Sequence, residues 1–143
     1  LEQISSQSET GLLPDFIWVE KSGARVAEAN TIESQYDGAY SYNACRLPYH
    51  LSQSQDERSQ KLVQKMMAFF MKERRIYAGY DLQGNALNQY QAGSFLAPIT
   101  YAANNSEGSL KLLQQNKYIF TQDLPLDNYY DATMITMIAL ELF

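Results

Sequence analysis

The sequence is poorest in the residues that most often build reactive centres. Cys45 is the only cysteine in 143 residues, so no disulfide can form within the chain. A lone thiol of this kind is expected as a small buried hydrophobe rather than a nucleophile. His50 is the only histidine. One imidazole and one thiol do not make a zinc site, and on one helix the two would face each other poorly for nucleophilic catalysis. A zinc site is therefore not expected, and no metal or organic cofactor is implied. Basic residues are scarce as well, with 11 Lys and Arg against 16 Asp and Glu and a net charge of −5. A surface that tracks phosphates needs clustered Lys and Arg. The densest such cluster, Lys72-Glu73-Arg74-Arg75, suits the end of a helix by its dipole, so nucleic acid is not an expected partner. No apolar run approaches the ~20 residues of a membrane span. Trp18, the only tryptophan, is expected in the core.

What is present is helical periodicity. The clearest stripe is Leu62, Val63, Met66, Met67, Phe69 and Phe70, spaced for one wide helix face. Ser54 or Asp56 would cap that helix and Lys72 to Arg75 would close it. An earlier helix starts around Ser41 to Asn43 and ends near Ser52 to Ser54, with Pro48 tolerable only in its first turn. A third spans about Ala92 to Ala103, with Pro98 inside it. Ser106 is expected to cap a fourth bearing Leu110, Leu112 and Leu113, and Ser106-Glu107-Gly108 reads as that cap. The last helix, Tyr129 to Phe143, is apolar on nearly all sides and is expected to be an inner one. Lys21 to Asn30 reads as a loop, and Ile76 to Gln91 as a connector turning at Leu82-Gln83-Gly84-Asn85. With no convincing strand run, the pattern predicts an all-α class. The length predicts one domain, and 45% hydrophobic residues suffice for a core.

The chain is organised around Glu33 to Pro48. Tyrosines alternate with small and polar residues from Tyr36 to Tyr42, followed by Asn43, Cys45 and Arg46. Flat rings beside carboxylates and an arginine suit a carbohydrate cleft, because sugars offer apolar faces to stack on and hydroxyls to bond. On composition alone, half-buried packing is the favoured reading of the same segment.

Tyr42-Asn43-Ala44-Cys45-Arg46-Leu47-Pro48 resembles the Tyr-Asp/Asn-Ala-x-Arg-x-Pro signature of glycoside hydrolase family 8. Gly11-Leu12-Leu13-Pro14-Asp15-Phe16, Gly79-Tyr80-Asp81-Leu82-Gln83-Gly84 and Tyr129-Tyr130-Asp131 resemble three further segments of that family, in the same order. The resemblance implies part of an (α/α)6 toroid, incomplete on its own, with residues 1–143 as the C-terminal part of one catalytic domain. The remaining N-terminal part would then be its partner. It implies an endo-acting, inverting β-1,4-glycan hydrolase acting on glucan or chitosan, and a secreted or cell-envelope location. The proton donor would lie outside this chain.

The same resemblance implies the residue roles. An amide cannot accept a proton from water, so Asn43 is not the base. In a branch with asparagine there, the base is a glutamate just upstream, which here implies Glu33. A slip of two residues would place that position on Gln35, and Asp37 is the fallback. Tyr42, Asn43 and Arg46 would position water and sugar, with Tyr36 and Tyr40 either as stacking surfaces or as core. Tyr130 and Asp131 are expected to support the cleft floor. The alternative is a non-catalytic carbohydrate- or partner-binding module derived from such an enzyme, for which Asn43 speaks.

Overall fold

The computed structural model describes residues 1–106 and 108–143. In chain order these form α1 (Glu2–Ser5), β1 (Ile17–Glu20), β2 (Gly23–Val26), α2 (Leu47–Gln53), α3 (Glu57–Phe70), α4 (Gly93–Asn104), α5 (Leu110–Asn116) and α6 (Tyr129–Leu142). A 3₁₀ turn, Ala44–Arg46, leads into α2, and another, Lys117–Phe120, follows α5. Among the described residues no helix is long and apolar enough to cross a membrane.

The helices form for the reasons the periodicity gives. Asp56, not Ser54, caps α3 by accepting from the Ser59 amide at 3.0 Å. That helix buries Leu62, Val63, Met66, Met67 and Phe70, while Phe69 packs partly buried at the edge. Helix α4 is the central element, buried from Ser94 to Thr100 and again at Ala102 and Ala103. It packs against α2, α5 and α6. Asn128 caps α6 through the Asp131 amide at 3.1 Å. Asp131 then reaches across to α4, accepting from the Gly93 amide at 2.9 Å and the Ser94 amide at 3.0 Å. One carboxylate thus supplies partners for two first-turn donors that a helix cannot satisfy itself.

Several expectations are corrected. The class is not all-α, because β1 and β2 pair antiparallel, with Ile17 opposite Val26 and Trp18 opposite Arg25. The Arg25 guanidinium stacks 5.7 Å from the Trp18 ring, and Trp18 bonds Glu28 rather than entering the core. The supposed loop from Lys21 thus contains a strand. Nor is the chain the all-helical part of a toroid that was expected, since roughly half of it lies outside helices. Last, α6 is not inner on all sides. It buries Asp131, Met134, Ile135 and Ile138 against the body of the fold, while Leu140 is 79% exposed. Ser106 does not cap α5, which starts at Leu110 with Ser109 at the N-cap position and no side-chain capping bond; Glu107 of the expected Ser106-Glu107-Gly108 cap lies outside the described residues.

Residues 27–43 carry no regular structure and still pack closely. A Cβ on Gly38 would come within 2.5 Å of the Ala27 carbonyl oxygen, so only glycine lets the two backbones meet there.

Candidate active site

Two aspartates fix the segment that carries the candidate residues. Asp37 is fully buried. Its Oδ2 accepts from the amides of Thr31 at 2.9 Å and Ile32 at 2.7 Å. Its Oδ1 accepts from Ser34 at 2.8 Å, and the Glu33 amide lies between both oxygens at 3.1 and 3.2 Å. Burial alone would raise its pKa, but the backbone amides of Ile32, Ser34, Glu33 and Thr31 outweigh it and hold the carboxyl below the usual range. A carboxylate with both oxygens saturated cannot take a proton from a bound water. The fallback base is thereby corrected to a structural clasp.

The sign of that shift gives a prediction. A depressed pKa contributes stability that is present above the unfolded value of 3.8 and lost as pH falls through the folded value. Asp37→Asn should therefore lower stability at neutral pH and flatten the decline between pH 5 and the acid limit. Circular dichroism during acid titration measures this, and an unchanged acid limb would refute it.

The second aspartate, Asp15, holds the next stretch. Its Oδ1 accepts from the amides of Ser41 at 3.0 Å, Asn43 at 3.1 Å and Ala44 at 2.7 Å. It closes the 3₁₀ turn from outside, where Asn43 supplies no side-chain cap. Burial nevertheless raises its pKa, against the pull of those three amides.

Between the two clasps, three of the expected residues come together. Glu33 Oε2 accepts from Asn43 Nδ2 at 2.9 Å. Asn43 Oδ1 accepts from an Arg46 guanidinium nitrogen at 3.3 Å, and Arg46 Nε donates to the Asn43 carbonyl at 3.3 Å. The amide is oriented from both ends, as a donor to the carboxylate and an acceptor from the guanidinium. Glu33 and Arg46 are both exposed. Among the described residues no second donor meets Glu33, which leaves carboxylate lone pairs open to a water.

Tyr42 stands beside this group, 37% exposed. Its hydroxyl lies 3.2 Å from that of Tyr90, and its ring meets Phe95 edge-on at 5.0 Å. Behind it, the Tyr130 hydroxyl donates to the Tyr42 carbonyl at 3.0 Å and lies 3.6 Å from Cys45 Sγ. Burial raises both phenols, and it pushes the Cys45 thiol up to about 12. A thiol so protonated is packing, not a nucleophile. Tyr36 is half-buried on the near side. Tyr40 is corrected: it is fully buried between Phe70 and Phe95, 5.7 and 5.8 Å from their ring centres, and offers no face to a sugar. Among the described residues no three His, Cys, Asp or Glu side chains converge to hold a metal ion.

The sequence reading gave no role to Asp15 or Tyr90. Asp15 lies in Gly11-Leu12-Leu13-Pro14-Asp15-Phe16, and its place after Pro14 is the available signal. Tyr90 had none, lying in a connector without periodicity.

No protein-family model matches the chain. It is 31% identical over 108 residues to a β-glucanase of Niallia circulans, covering 69% of this chain and 26% of that protein. It therefore spans about a quarter of the length of that curated relative. Its fold matches that of a β-1,3-1,4-glucanase from Paenibacillus sp. X4 with a TM-score of 0.87 and 24% identity, over 99% of this chain and 39% of that one. Because nearly the whole chain superposes, the β-hairpin belongs to the shared fold, which replaces the all-α toroid expectation. The sequence likeness relates the chain to a glycoside hydrolase, and the structural match shows a shared fold.

Proposed function

We propose that the chain forms part of the active site of an inverting, endo-acting β-glucan hydrolase of family 8, with Glu33 as general base. The observation that carries this reading is the Glu33–Asn43–Arg46 group, an open carboxylate held by an amide at 2.9 Å. In an inverting enzyme one carboxylate activates a water on the face opposite the leaving group while a second carboxylic acid protonates the glycosidic oxygen. Glu33 has the exposure to meet such a water. Asn43, held by Arg46, fixes the rotamer of Glu33 and leaves the charge on the glutamate. Tyr42 would border the reacting sugar and Tyr36 the neighbouring ring. The proton donor is proposed to come from a further segment of the protein. The similarity to a β-glucanase and to a β-1,3-1,4-glucanase favours β-glucan over chitosan as substrate.

The test is stereochemical. The complete protein should release the α-anomer first from a β-1,3-1,4-glucan, as followed by proton NMR before mutarotation. Initial β-anomer would mean retention and would remove the base role of Glu33. No release of reducing ends over long incubation would leave a binding module, the reading that Asn43 favours where an aspartate would serve as base.

A further inference from the structure

A second concavity, of about 620 Å³, lies between the segment after α3 and the end of α5. Arg74, Arg75, Tyr77, Gln91, Gln115 and Tyr118 line it, above the buried side chains of Ile76 and Leu112. None of these residues belongs to the Glu33 group, although Gln91 follows Tyr90, whose hydroxyl meets Tyr42. The walls are rich in donors. Among the described residues no carboxylate pairs with Arg74 or Arg75, whereas Arg25, Arg58 and Lys61 all have acidic partners. The Arg75 guanidinium rests 5.7 Å from the Tyr77 ring centre. The Tyr118 hydroxyl leans toward Gln91 Oε1 at 3.5 Å, which turns the Gln91 amide nitrogen elsewhere as a donor. Glu73 also borders the cavity, and burial pushes its carboxyl up. In a chain of net charge −5, Arg74 and Arg75 bring two adjacent guanidinium groups to one hollow.

We propose that this cavity is a second saccharide site, which selects a sugar carrying a carboxylate. Guanidinium forks match a carboxylate with two parallel hydrogen bonds. Tyr77 and Tyr118 offer ring surface for a pyranose face, and the glutamine amides suit its hydroxyls. The volume lies in the range of small-ligand sites and holds one or two sugar rings. That the ligand is a saccharide rests on the proposed function. That it is acidic rests on the cavity alone.

The test is calorimetric titration of the complete protein with a glucuronate-containing disaccharide, cellobiose and acetate. The acidic disaccharide should bind about tenfold or more tightly than cellobiose. Arg75→Gln and Tyr118→Ala should each weaken it by about tenfold while β-glucan hydrolysis is unchanged. Equal binding of cellobiose, equal binding of acetate, or no binding of the acidic disaccharide would each overturn the proposal. Uronate binding without any glucan hydrolysis would instead support this site and remove the hydrolase reading.

Discussion

Replacing Glu33 by glutamine in the complete protein should lower kcat on β-glucan by about 10²–10⁴-fold, the range that general base catalysis contributes. KM should change little, because glutamine keeps an oxygen that can accept from Asn43 Nδ2, the bond seen at 2.9 Å. The local geometry then survives while the proton acceptor is lost. A fall in kcat and kcat/KM together marks an interaction made in the transition state rather than in the ground state. Asp37 cannot take over, since four backbone amides already hold its oxygens. Steady-state kinetics with oligosaccharides measures the effect, and turnover within a factor of about three of the parent would remove Glu33 from the mechanism.

Asp15→Ala should produce the second large effect, on stability and turnover at once. It removes the acceptor of three backbone donors, at Ser41, Asn43 and Ala44. A buried donor left unpaired costs about 1–3 kcal/mol. Ser41 and Ala44 are buried, whereas Asn43 is half-exposed and can find water. The expected loss is therefore about 2–6 kcal/mol, more than the ~1 kcal/mol of an ordinary helix cap. Asp15→Asn keeps an oxygen in place and should cost less than ~1 kcal/mol, helped because burial already disfavours the charged form of Asp15. Urea unfolding at constant slope compares the two. Equal losses for alanine and asparagine would show that charge, not the acceptor, is what the turn requires. Activity should follow the same order, since Asn43 moves when its backbone is released.

The elements that could be read ahead were those whose own sequence settles their environment. Helix α3 was legible because its apolar residues recur on one face and an aspartate precedes them. Helix α4 was legible despite Pro98, and the start of α6 because two capping candidates, Asp127 and Asn128, stand before an apolar run, of which the structure uses Asn128. The β-hairpin was not. Its strands are four residues each and pair only with one another, too short for an alternating pattern to stand out. The exposed side of α6 was misread because apolar composition on every face does not tell which side the fold covers.

The candidate site divides in the same way. Glu33, Asn43 and Arg46 were legible from a motif, and the structure brings them into contact. Tyr40 was not separable from Tyr36 and Tyr42, because which ring turns inward depends on a loop without periodicity. That loop is shaped by Asp37 collecting amides from 31 to 34, an arrangement signalled only by the turn-forming pair Asp37-Gly38. Asp15 acts 26 to 29 residues away along the chain, beyond the reach of any local pattern.

The bond from the Tyr130 hydroxyl to the Tyr42 carbonyl joins residues 88 apart in sequence. Near it, Asp131 ties the start of α6 to the start of α4 across 38 residues. Contacts of such separation close large loops and are slow to form. A ribosome making this segment therefore releases α2, α3 and α4 before the residues that lock Tyr42 exist. The candidate active site is among the last parts of the chain to acquire its geometry during synthesis, and a pause before residue 130 would leave its helices built but its tyrosine unanchored.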